Sequence, residues 1–196
     1  MTSNALVAVY LIPTLIGLFI VSPWGDKLTD SLKQRFPSLN TVRGKLLAGL
    51  QLISLAGFAV STQTLWISSK ISEGGNFCSS NSTFSCDDLL GNPDFNVDPL
   101  FGLSWGLIGM AVFALLLFII YVLQQDPNHP MAERLISIGF LTTALGVLVI
   151  GLLVSYEIKE EKICLYCTTA HIANVSALVG FFRLRRLFED KSQWNN

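Results

Sequence analysis

The chain has 196 residues, 51% of them hydrophobic and 14% charged, with a mean hydropathy of +0.53. A soluble globular domain carries about 25% charged residues, so this composition excludes an ordinary water-soluble enzyme. A net charge of -1, without a basic cluster beyond the residues that flank apolar segments, also excludes a nucleic-acid surface.

A membrane-crossing helix needs about 20 mostly apolar residues. Five stretches reach or approach that length: 5–21, 45–67, 100–123, 135–154 and 164–182. The fold class that follows is an all-α membrane protein with five spans. The first stretch is the shortest and contains Pro13. Its basic residues follow the apolar run rather than precede it, the reverse of a cleaved signal peptide, so it reads as a retained span.

Connector 22–44 carries Lys27, Lys33, Arg35 and Arg43, and Lys45 stands at the entrance of the second span. Loop 68–99 is rich in Ser, Asn, Gly and Asp, which favour turns. It holds Cys78 and Cys86 on either side of "SSNSTFS". Asp87, Asp88, Leu89 and Leu90 predict a short helical turn, ended by Gly91-Asn92-Pro93, and Asp98-Pro99 is expected to open the third span. That span begins with "FGLSWGLIGM", whose small residues let helices approach closely and can wall a flat ligand pocket. "QQDPNHP" predicts a compact turn before the fourth span, and the fifth opens with "KICLYCTTAHIANV".

Lys and Arg gather in cytoplasmic loops. With the N-terminus outside, ten of the 13 basic residues fall on the cytoplasmic side, including Arg134, Arg183, Arg185, Arg186 and Lys191. Only Lys70, Lys159 and Lys162 remain outside. The C-terminus is then cytoplasmic, and all four cysteines lie on the outer, oxidising face, where disulfides persist.

Cys164 and Cys167 stand three residues apart at a helix start, so their sulfurs share a face and can close a small ring. The positive end of the helix favours a thiolate there. The pair reads as a redox couple, with a static disulfide or half of a metal site as alternatives. Cys78 and Cys86 read either as a stapled loop or as a second dithiol that exchanges with the first. A four-cysteine zinc site fits poorly, since structural zinc sites pair short spacings, and no metal is expected. His171 shares the helical face of both cysteines. A histidine inside a span faces the bundle interior, where it either bonds a reducible ligand or makes an interhelical hydrogen bond.

In order and spacing these residues resemble the vitamin K epoxide reductase family: loop cysteines Cys78 and Cys86, then "LFGL", then an intervening span, then "CLYCTTAHIANVS". The resemblance covers about residues 42–183, leaving 1–41 as an extra span with its connector and 184–196 as a short tail. It implies a four-helix bundle around a quinone of the menaquinone, ubiquinone or vitamin K type. It also implies an electron path from a thioredoxin-like (DsbA-like) protein through Cys78 and Cys86 to Cys164 and Cys167, with Cys167 facing the quinone. In the prokaryotic branch the outcome is disulfide formation in secreted proteins. Because the chain ends at Asn196 on the cytoplasmic side, that partner is expected to be a separate protein.

Three positions differ from the family pattern. Asn92 stands where Ser or Thr is usual, Asp98 where animal members have a quinone-bonding Asn, and His171 where they have a ligand-contacting Tyr. All three are carried as candidate quinone-binding residues, and the changes favour quinone reduction over epoxide reduction. The rival readings are a vitamin K epoxide or quinone reductase, and a non-enzymatic membrane protein with two structural disulfides.

Overall fold

The computed structural model describes residues 3–25, 33, 36–75, 83–190 and 194. Among them are seven α-helices: α1 (Ser3–Val21), α2 (Val42–Ser72), α3 (Asp87–Leu90), α4 (Pro93–Asn96), α5 (Trp105–Gln125), α6 (Ala132–Glu160) and α7 (Leu165–Glu189). By length and apolar composition α2, α5, α6 and α7 can each cross a membrane, and the apolar stretch Leu6–Val21 of α1 is shorter. The architecture is all-α and fits an integral membrane protein, as the composition led us to expect.

The longest helix, α2, is central and packs against α1, α5 and α7, while α6 lies mainly on α7. The Thr41 hydroxyl starts α2 by accepting from the Gly44 amide at 3.0 Å, which satisfies one of the unpaired donors of the first turn. In lipid, helices associate through close packing rather than through the hydrophobic effect. Gly17 of α1 and Gly49 of α2 show this directly. A Cβ on Gly17 would stand 2.8 Å from the Gly49 carbonyl oxygen, and one on Gly49 would stand 2.9 Å from that of Gly17.

Two buried apolar clusters stack along the bundle. The larger includes Leu46, Leu50 and Ile53 of α2, Leu116 and Ile119 of α5, and Phe181 and Leu184 of α7. The smaller, at the opposite end, joins Val60 and Ile67 to Cys86, Leu89, Leu90, Cys164 and Tyr166. The outward faces stay apolar too, with Leu148 of α6 72% exposed. A surface like that suits lipid and would be a liability in water.

The expected short turn after Cys86 is present as α3, and a second one, α4, follows it. The third span differs from expectation: it begins at Trp105, not at Leu100. The Asp98 carboxylate accepts from the amides of Phe101 (2.7 Å) and Leu100 (3.2 Å), and the Gly102 amide donates to the Asp98 carbonyl at 3.0 Å. Gly102 sits at φ +69°, a conformation that glycine adopts at little cost. Residues 98–103 therefore close into a turn, and Ser104 caps the helix by accepting from the Leu107 amide.

Candidate functional site

α6 is followed by its C-cap Glu161, whose left-handed backbone (φ 54°) turns the chain toward Cys164. Cys164 is the N-cap of α7, and its Sγ accepts from the Cys167 amide at 3.2 Å. Cys164 and Cys167 form a disulfide with their Cα atoms 5.2 Å apart. Cys164 is fully buried, whereas Cys167 is half-buried.

The loop that carries Cys86 is tied to this motif. The Ile163 amide donates to the Thr83 carbonyl at 2.9 Å, and Phe84 and Ile163 form a parallel bridge. Cys86, two residues beyond Phe84, is 5% exposed and lies in the same buried cluster as Cys164. The expected loop partner, Cys78, lies outside the described residues. Lys162 and Asp88 add an ion pair at 3.6 Å across the same junction, but both are solvent-accessible, and such a pair contributes little.

Beneath the cysteines lies a cavity of about 320 Å³ bounded by α2, α5, α6 and α7. Cys167 and His171 line it, together with Ser61, Thr64, Trp105 and Asn174. Most of its surface is apolar. Buried polar atoms nearly always have partners, yet both Trp105 Nε1 and His171 Nε2 are buried without a protein hydrogen bond. Two unpartnered nitrogens on the wall of an apolar cavity suit a flat apolar ligand that carries carbonyl or hydroxyl oxygens, so the residues present fit a quinone.

The sequence candidates divide here. Cys86, Cys164, Cys167 and His171 come together around one end of the bundle. Asn92 and Asp98 do not line the cavity. The Asn92 side chain accepts from the Asp94 amide at 3.0 Å and caps α4, and the Asp98 carboxylate is committed to the turn described above. Trp105 escaped sequence reasoning, although the small residues beside it, Gly106 and Gly109, were read as able to wall a pocket and do line the cavity. Its signal was its place at the first turn of a span that faces a dithiol, which becomes visible only once the true helix start is known.

α1 also contributes. Leu6, Val7 and Tyr10 pack against the cluster that holds Cys86 and Cys164, and the Tyr10 and Tyr166 rings lie 6.3 Å apart. The middle of the CxxC motif is thereby roofed by the N-terminal helix.

A family model described as the vitamin K epoxide reductase family matches residues 49–181. No curated protein matches the chain, and no solved structure matches it.

Proposed function

The chain belongs to the vitamin K epoxide reductase family, and from that premise we propose that it is a membrane thiol oxidase that forms disulfides on the outer face and uses a quinone as acceptor. The observation that carries the reading is the position of one disulfide between two environments. Cys164 is buried in a cluster with the loop cysteine Cys86, and its bonded partner Cys167 lines the cavity.

In this reading a thioredoxin-like protein reduces the loop pair Cys78/Cys86. The Cys86 thiolate then attacks Cys164 Sγ, forming a Cys86–Cys164 bond as the Cys164–Cys167 bond breaks, and the electron pair leaves on Cys167 Sγ. Attack by the Cys78 thiolate on Cys86 closes the loop disulfide and releases Cys164. Each step is ordinary thiol–disulfide exchange. The positive end of α7 stabilises the departing Cys167 thiolate. Trp105 Nε1–H offers a donor to a quinone oxygen, His171 Nε2 offers a second polar contact, and the apolar walls exclude water. A bound quinone supplies the acceptor for two electrons and two protons.

The distribution of Lys and Arg supports the orientation, with cysteines and N-terminus outside and C-terminus cytoplasmic. Both the orientation and the separate thioredoxin-like partner belong to the proposal.

The test uses purified protein in detergent, a reduced thioredoxin-like protein and a panel of quinones, with quinone absorbance as the signal. Wild type should reduce quinone, and Cys167→Ala should abolish reduction, because no Cys164–Cys167 disulfide can then form for Cys86 to attack. Normal turnover by Cys167→Ala would overturn the path. Vitamin K epoxide in the same assay separates the reductase alternative.

A further inference from the structure

A carboxylate lies beside the CxxC motif. Glu157, in the last turn of α6, accepts from the Cys164 amide through Oε1 at 3.2 Å. That amide belongs to the N-cap of α7, so the carboxylate stands at the end of the helix where a thiolate would also be favoured. Glu157 and Cys167 both line a second, smaller cavity of about 40 Å³, shared with Asn96 and Trp105. Cys167 and Trp105 also line the larger cavity, so the two spaces meet at these side chains. A volume of that size exceeds the ~15 Å³ that one water needs, and its walls carry the polar groups a water requires.

Two cations lie nearby, and neither lines the smaller cavity, although Phe95 does. Lys159 lies over the Phe95 ring at 5.4 Å, and Lys162 faces Asp88 at 3.6 Å. His171 is on the larger cavity, not the smaller one.

We propose that Glu157 is the proton partner of Cys167, taking up a proton when the Cys164–Cys167 disulfide opens. The inference rests on the thiol relay described above. When Cys86 attacks Cys164, the Cys164–Cys167 bond breaks and its electron pair goes to Cys167 Sγ. A thiolate and a carboxylate then share one small, largely desolvated space. Like charges in such a setting do not both persist; the pair holds one proton between them. That proton is the one the Cys86 thiol loses on becoming a nucleophile, so charge and mass balance within the chain. Re-forming the Cys164–Cys167 bond releases the proton again. Glu157 thus keeps opening of the disulfide close to charge-neutral inside the membrane protein.

The test is redox-difference infrared spectroscopy on quinone-free protein in detergent, with the disulfide opened by dithiothreitol and opening verified by thiol alkylation and mass. In wild type a protonated-carboxyl band should appear on reduction, and in Glu157→Gln it should be absent. Gln keeps an oxygen acceptor for the Cys164 amide, so a purely structural role predicts no change. No carboxyl band in wild type, or a band that persists in Glu157→Gln, would each overturn the assignment. If the disulfide opens normally in those cases, the thiol relay stands and only Glu157's role fails. A disulfide that cannot be opened at all overturns both.

Discussion

The Ile163 amide and the Thr83 carbonyl are joined at 2.9 Å, and this bond fastens the Cys86 loop to the residue immediately before Cys164. It holds the Cys86 segment against the CxxC motif at a point where the chain has no extended strand to do so. Ile163→Pro removes the donor. A net backbone hydrogen bond is worth about 1 kcal/mol, so exchange from the loop to Cys164 should slow by roughly fivefold. Dithiothreitol, which can bypass the loop, should drive quinone reduction at close to the wild-type rate. Stopped-flow comparison of the two reductants checks this.

Trp105 and His171 each hold a buried nitrogen without a protein partner. Such an atom costs about 1–3 kcal/mol when left unsatisfied. Trp105→Phe should therefore leave the quinone-free protein at least as thermostable as wild type. It should also raise the KM for quinone by about fivefold, the effect of one lost hydrogen bond. Melting curves with and without quinone, alongside steady-state kinetics, test both halves.

Asp98 is 7% exposed and bonds two backbone amides in its own turn. Hydrogen bonds to a charged acceptor contribute about 1.5–3 kcal/mol. Asp98→Ala should lower stability by about that amount while leaving the quinone KM nearly unchanged. A large rise in KM with unchanged stability would return Asp98 to the quinone site.

Tyr10 and Tyr166 bring the N-terminal helix onto the CxxC motif, with ring centroids 6.3 Å apart. An aromatic pair is worth about 1 kcal/mol beyond its buried area. Tyr10→Ala should lower the melting temperature and make Cys164 of the reduced protein more reactive toward a small alkylating agent. Tyr10→Phe should keep both properties near wild type. Unchanged Cys164 reactivity in Tyr10→Ala would show that α1 does not shield the motif.

The broad plan was legible because lipid imposes simple demands: long apolar runs, short connectors and flanking charges. The CxxC motif could be placed at a helix start because Cys164 and Cys167 immediately precede an apolar run. Helix ends were less legible. Hydropathy counts Leu100 and Phe101 as part of a span, but the turn that excludes them depends on Asp98 accepting two amides and on the positive φ of Gly102. Helices α2 and α6 extend past their apolar stretches to Ser72 and Glu160, since polar residues continue a helix that has already begun. Trp105 and Glu157 were invisible as site residues. Each matters through what lies across space from it, and neither belongs to a motif.

Cys164 fills two positions at once: it is half of the disulfide and the cap of the helix that carries the other half. Its sulfur is the acceptor for the Cys167 amide proton, and a thiolate accepts a hydrogen bond more strongly than a bonded, neutral sulfur. Every electron pair that passes through the chain must therefore alter a backbone hydrogen bond in the first turn of α7. The Cys167 amide is a built-in gauge of charge state, which isotope labelling could follow in the intact protein without trapping an intermediate.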